Sequence, residues 1–529
     1  MKLLILIVSV LLCSQSNILS QSQNHTQWDV IDLTFSGNPR PECPFTTEFG
    51  AVITHESGRE MRVPGFYNDN DIWIIRFSPP LTGRWSYTTY SGSGELDGRH
   101  GEIRVGPAES AEIHGPISIS EQNPQRFTYQ DGTSWFPLAF EIDWLFALDA
   151  ENPDDIPRTR QIVKHIEENG FNKVIINVYA YDAGWGERHR IDPRFNFAKP
   201  SVFPFGGTNE DPDHETLNID FFKHFDRVIA HLNEKGIVAH MMIYVWNKYV
   251  NWPSPGSEED NMYFDYVVKR YQAYPNLIWD ISKEALAYGM DDMDYITGRI
   301  DRLRKLDGHK RLVTVHDFSY CRRHPDKVDF ISVQEWKPNL YNEMQNIVES
   351  FPETPVFNVE HGGYEQTMHT IFHGAFTNAE ICLKRTYICI FAGTYSTYYW
   401  QNASWYELVY DPFSLPVENQ PKFHYYKHLT NFFSNFDYNK LVPDQYFYST
   451  YVLTNNEDTF IYLLPWHGFS IEGMAPRQAR GKRIEIQWFD PLTGEYSEKT
   501  ERNMGDWTGI RKPGSIDSPF ALVVLRIID

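Results

Sequence analysis

Two short apolar runs in this chain end on a glutamate. Leu277-Ile278-Trp279 continues through Ile281 to Glu284, and Val356-Phe357-Asn358-Val359 leads to Glu360, 76 residues further on. Two carboxyl groups held about 5–5.5 Å apart can cleave a glycosidic bond by double displacement, one as nucleophile and the other as acid and base. The acid must keep its proton near neutral pH, which requires burial or a neighbouring negative charge. The nucleophile must stay ionised. The reading assigns Glu284 as acid/base and Glu360 as nucleophile.

Such a pair needs a frame that brings two distant strand ends together. A (β/α)8 barrel does this, because its chemistry sits at the C-terminal ends of the strands. Residues 118–425 carry the required grammar of short apolar strands alternating with amphipathic helices. The strands are read at 135–140, 173–179, 237–244, 277–284, 312–317, 329–336, 354–360 and 394–400. Helices are read at 156–169, 221–235, 262–271, 341–351 and 378–391, with Gly170 and Gly236 closing the first two. Glu284 and Glu360 then end the fourth and seventh strands.

The flanks read differently. Residues 25–112 and 430–529 are β-branched and aromatic runs broken by Gly, Pro, Asn and Asp at roughly ten-residue spacing, the pattern of small β-sandwiches. The fold class is therefore α/β, a TIM barrel between an N-terminal and a C-terminal β-sandwich.

Composition narrows the partners. A net charge of −22 argues against nucleic acid, whose backbone needs basic patches. Aromatic content is 15%, and some of the 15 Trp, 31 Tyr and 35 Phe residues are expected to line a sugar groove. Residues 1–22 read as a signal peptide, with Lys2 before an apolar run from Leu3 to Cys13. Cleavage is expected near residues 20–23, and Leu12 makes lipid anchoring at Cys13 the weaker alternative. Secretion or a periplasmic location follows, and no segment is long and apolar enough to cross a membrane. Cys43, Cys321, Cys382 and Cys389 form neither a disulfide framework nor a zinc pattern. Asn24-His-Thr and Asn402-Ala-Ser are formal glycosylation sequons. No metal or organic cofactor is called for.

Further contacts to substrate are expected at strand ends: Asp143, Asn177, Trp246, His316, Gln334 and Trp400. Glu141 is an alternative acid. Trp144, Trp185 and Trp336 are candidate subsite walls, and Arg188 and Arg190 could grip an acidic substituent. Residues 211–215 read as a polar loop rather than a calcium site. The chain lacks a Gly-x-Ser-x-Gly elbow, a Walker loop, a dinucleotide fingerprint and a His-Glu-x-x-His motif.

Residues 278–285, Ile-Trp-Asp-Ile-Ser-Lys-Glu-Ala, resemble the acid/base segment of clan A glycoside hydrolases, and residues 358–362, Asn-Val-Glu-His-Gly, resemble the clan's strand-seven nucleophile. Trp400 matches the aromatic that floors the sugar pocket there. The N-terminal stretch from Phe66 to Tyr87 resembles a sandwich module found before bacterial glycoside hydrolase barrels. The three-part layout, with Trp488-Phe-Asp-Pro-Leu-Thr-Gly494, is similar to bacterial proteins with an apiosidase-like barrel. The resemblance implies a retaining O-glycosidase acting on plant or algal cell-wall glycans. Two positions depart from it. Lys283 stands where the clan carries an Asn that bonds the sugar 2-OH, and apiosidase-like enzymes carry Asp at the position of Glu284. The sugar therefore stays open between apiose, xylose, galactose and others. A non-catalytic glycan-binding protein and a polysaccharide lyase are the rival readings.

Overall fold

The computed structural model describes residues 25–38, 43–184, 192–289, 292–366, 376–400, 405–444, 450–464 and 467–529. The expected signal peptide, the asparagines of both sequons, Trp185, Arg188 and Arg190 lie outside these residues.

Eight parallel strands form the centre: β1 Leu138–Glu141, β2 Lys173–Asn177, β3 Val238–Val245, β4 Leu277–Lys283, β5 Val313–His316, β6 Ile331–Gln334, β7 Val356–Glu360 and β8 Tyr395–Trp400. Hydrogen-bonded neighbours run 5-4-3-2-1-8-7-6. Strands β5 and β6 share no ladder. The ring closes there through the Asp329 amide to the Val313 carbonyl at 2.8 Å, and through Thr314, whose hydroxyl meets the Phe330 carbonyl at 2.9 Å and Ser332 at 3.0 Å. The strands are apolar along their length because helices cover one face and the barrel interior the other. All eight residues of β3 are buried.

Each strand is followed by a helix: α1 Pro157–Glu168, α2 Ile219–Glu234, α3 Glu258–Tyr271, α4 Met293–Leu306, α5 Phe318–Arg323, α6 Leu340–Ser350, α7 Ala379–Phe391 and α8 Phe423–Phe433. Their starts follow local chemistry. Asn218, Ser257, Asp292, Asp317 and Asn378 each accept a backbone N–H of the first turn, and Pro157 opens α1. Helix α2 buries Phe221, Phe222, Phe225, Val228, Ile229 and Leu232 on one face. Each such Phe contributes roughly 2–3 kcal/mol relative to exposure. Residues 211–215, read as a loop, belong instead to a ribbon in which Phe205–Gly207 pairs with Pro212–Leu217.

The N-terminal part is a sandwich of a five-stranded and a three-stranded sheet around Phe49, Trp73, Ile75 and Trp85. Arg76 fixes it to the barrel. Its guanidinium bonds Asp32 at 2.7 Å, Asp226 of α2 at 3.1 Å and the Arg270 carbonyl of α3 at 3.0 Å, while Arg270 grips the same Asp226 at 2.7 Å. The C-terminal part is a six-stranded antiparallel sheet with a two-stranded flap and its own core around Tyr462, Trp488 and Val523. It meets α6 where Tyr451 stacks on Tyr341 with ring centres 3.9 Å apart. Among the described residues no helix is long and apolar enough to cross a membrane. Cys43, Cys321, Cys382 and Cys389 are free thiols.

Candidate active site

Strict alternation along β4 would send Lys283 away from the barrel interior. Trp279 faces the helices, donating its indole N–H to Asp307 at 3.1 Å, and Asp280 faces inward to His240 at 2.8 Å. A bulge between Asp280 and Lys283 breaks this parity, so that Lys283 and not Ser282 pairs with His316. Bulges of this kind re-aim side chains beside active sites. Asp280 holds the bulge, accepting the backbone N–H groups of Ser282 at 3.2 Å and His316 at 2.9 Å. Burial, helped by Lys173, pushes His240 down to about 4, so its neutral ring donates to Asp280 at pH 7. Glu284 follows with φ of +57°, a left-handed conformation that costs a non-glycine residue on the order of 1 kcal/mol or more.

A second bulge between β6 and β7 brings Gln334 opposite Glu360. The Gln334 amide donates to Glu360 Oε2 at 2.7 Å, and the Tyr364 hydroxyl donates to the same oxygen at 2.9 Å. Lys283 Nζ lies 2.8 Å from Glu360 Oε1, with His316 Nε2 at 3.4 Å. Lys283 also bonds Glu141 Oε1. Gly362, with φ of +81°, turns the chain away two residues after Glu360.

Glu284 and Glu360 line one cavity of about 70 Å³, together with Asn247, Lys283, Gln334, Trp336, Tyr364 and Tyr399. Glu284, Tyr288 and Gln334 also line an outer cavity of about 500 Å³ that reaches His316 and Phe318. Glu284 therefore stands between the two. Its carboxylate accepts the Asn247 amide at 2.7 Å.

The two carboxyls are driven in opposite directions. Burial, and then the negative charge of Glu360, raise the pKa of Glu284. Burial would raise Glu360 as well, but the Lys283 ammonium and His316 outweigh it and hold that carboxyl well below the usual carboxylate range. Burial would strip the proton from Lys283, yet the charges of Glu141 and Glu360 outweigh it and keep the ammonium.

The other expected site residues are placed as follows. His316 and Gln334 join the Glu360 cluster. Asp143 is fully buried and pairs with Lys248 at 3.2 Å. Asn177 is buried at the end of β2. Trp246 stacks on Tyr244 with ring centres 6.0 Å apart. Trp400 packs edge-on against Phe423 of α8 and donates to Gln366 at 2.9 Å, while its neighbour Tyr399 lines the small cavity. Trp144 is buried beside Phe146, and Trp336 lines the cavity. Glu141 touches Lys283 and lines neither cavity. Sequence reasoning missed Asn247 as a partner of Glu284, and also Lys248, Tyr364, Tyr399 and Trp405. Asn247 follows an expected strand end and was open to discovery, whereas Tyr364 lies in a segment without periodicity. Among the described residues no group of three His, Cys, Asp or Glu side chains converges to hold a metal ion.

The profile of the apiosidase-like catalytic domain matches residues 121–438, more than half of the chain. The chain belongs to the apiosidase-like family. A domain of unknown function, DUF5060, matches residues 24–92, ahead of the apiosidase-like barrel. Solved structures agree with the fold. A candidate glycoside hydrolase from Bacteroides vulgatus aligns with a TM-score of 0.77 at 18% identity, covering 96% of this chain and 100% of its own. A family 5 glycoside hydrolase from the same organism aligns with a TM-score of 0.56 at 17% identity, covering 78% of this chain and 94% of its own. No curated protein matches. The family and the barrel make this member a glycoside hydrolase with a carbohydrate substrate.

Proposed function

We propose that the protein is an exported, retaining glycosidase that works by double displacement on plant or algal cell-wall glycans or their oligosaccharides. Glu360 attacks the anomeric carbon while Glu284 protonates the departing oxygen. Glu284, now ionised, then takes a proton from water as that water releases the sugar from Glu360. The observation that carries this reading is the opposed ionisation of two carboxyls on one cavity, with Lys283 2.8 Å from the nucleophile. A binding protein on an inactive barrel has no need of a nucleophile held ionised by four polar neighbours.

The substrate assignment rests on charge. Both lysines at the cavity already face carboxylates, Lys283 with Glu141 and Glu360, Lys248 with Asp143. This supports a neutral sugar over a uronate at the cleaved bond. Apiose, xylose and galactose all meet that condition. Export rests on the leader read in residues 1–22.

Incubation with defined oligosaccharides, with product anomers followed by NMR, tests the mechanism. Retention is expected, and an inverted anomer would refute double displacement. Glu360→Gln should lose turnover and keep binding. Unsaturated, ultraviolet-absorbing products would instead identify a lyase.

A further inference from the structure

The double-displacement reading raises a charge problem that Lys283 makes specific. As Glu360 bonds the anomeric carbon, the bond from that carbon to the leaving oxygen breaks, and the oxygen takes the proton of Glu284. The negative charge thus leaves Glu360 and appears on Glu284. Lys283 is almost wholly buried against Glu360 and cannot turn to water for compensation. An ammonium buried without a partner is strongly disfavoured.

Glu141 answers this problem by its position. It ends β1, is fully buried, and has Lys283 as the hydrogen-bond partner of Oε1, while among the described residues Oε2 has none. Burial pushes its pKa up, the Lys283 ammonium pulls it down, and the charges of Asp143 and Glu360 add to the upward push, so its ionised form depends on Lys283 and is favoured when Glu360 loses its charge. It has no face on either cavity. The groups around Lys283 are Glu141 and Asp143 from the end of β1, Lys248 after β3, Glu284 beside it, His316 from β5, and Glu360 and Tyr364 from β7 and the turn beyond. Asp143 already faces Lys248. Glu141 is therefore the carboxylate that can keep Lys283 when Glu360 becomes an ester.

We propose, resting on the double-displacement reading, that Lys283 is a counterion shared between Glu360 and Glu141, retained by Glu141 in the glycosyl-enzyme. Glu141 and Lys283 are then positioning residues for the nucleophile. Glu141 is neither an acid for the substrate nor a sugar ligand.

The first test needs no substrate. Thermal unfolding of the full-length chain is followed from pH 5 to pH 8 for wild type, Glu141→Gln, Lys283→Met and the double variant. Lys283→Met leaves two buried carboxyls without their cation, which raises their folded pKa values. Stability from such groups is complete below the unfolded pKa and is lost as pH rises. The melting temperature of Lys283→Met should therefore fall further behind wild type at pH 8 than at pH 5, and adding Glu141→Gln should restore part of the loss. Additive effects of the two substitutions at every pH would overturn the shared pairing. Lys283→Arg keeps the charge and should keep the wild-type profile, which separates charge from folding.

The second test is kinetic, using 2,4-dinitrophenyl glycosides of the common neutral pentoses and hexoses. Glu141→Gln should slow formation of the glycosyl-enzyme at least tenfold without slowing its breakdown, so a pre-steady-state burst shrinks. Equal slowing of both steps would overturn the proposal. Absence of turnover by wild type on every glycoside would overturn the glycosidase reading itself, and the thermal cycle would still decide the pairing.

Discussion

The side-chain amide of Asn247 donates to Glu284 Oε2 at 2.7 Å, from the segment just after β3 to the residue just after β4. The Asn that the clan resemblance places immediately before the acid is Lys283 in this chain, so an asparagine from the neighbouring strand meets the acid instead. An amide N–H favours the ionised carboxylate. Asn247→Ala should therefore raise the pKa of Glu284 further, moving the alkaline limb of kcat/KM upward. Turnover should fall on the order of tenfold, because the base form needed for the second step becomes scarcer. A pH–rate profile of the variant checks both effects.

The wild-type profile should be a bell. Its acid limb reports ionisation of Glu360 and should lie below the ordinary carboxylate range, since Lys283 and His316 overcome the effect of burial. Its alkaline limb reports loss of the proton from Glu284 and should lie above that range. An alkaline limb at the ordinary value for a carboxyl would contradict the acid assignment.

Glu365 offers a stability measurement separate from catalysis. It is buried, accepts the Tyr398 hydroxyl at 3.0 Å and the Lys422 backbone N–H at 2.7 Å, and burial pushes its pKa to about 7. Its folded pKa lies above the unfolded value, so its contribution is complete below about pH 4 and is lost as pH rises through about 7. Glu365→Gln should flatten the decline in melting temperature between pH 5 and pH 8.

Asp226 joins the sandwich to the barrel through Arg76 and Arg270. Burial opposes its ionisation, but the two guanidinium groups outweigh burial and lower its pKa. That contribution is present above the unfolded pKa and is lost as pH falls through the folded one. Asp226→Asn strands the buried Arg270 and leaves Arg76 to Asp32 alone, and it should cost about 3 kcal/mol at pH 7, with the deficit shrinking in acid. Denaturant unfolding at two pH values measures it.

The barrel was legible in the sequence because each strand is an apolar run that ends on a polar or aromatic residue. Glu284 and Glu360 stood out for the same reason. What stayed hidden depends on broken periodicity. The bulge after Asp280 turns Lys283 inward, and alternation alone would have sent it outward. Trp400 shows the opposite case. It keeps the parity of Tyr398, so both pack against α8, and Tyr399 reaches the cavity. The short helix α5 is only six residues long and carries too little pattern to be read. Tyr364 reaches Glu360 from a turn whose shape is set by Gly362 and by pairing with β8.

The barrel's joint between β5 and β6 has a consequence for motion. Every other pair of neighbouring strands is stitched by a ladder, whereas among the described residues this joint rests on the Asp329–Val313 backbone bond, the Val313 N–H held by the Asp329 carboxylate at 2.7 Å, and the hydroxyl of Thr314. The staves on either side carry His316 and Gln334, which touch opposite oxygens of Glu360. Segments held by the fewest bonds open first. Amide exchange in β5 and β6 should outpace that in β3 and β4. Breathing of the barrel would then loosen the grip on Glu360 before it disturbed the bulge beneath Glu284, so Glu360 is the carboxyl more exposed to thermal fluctuation.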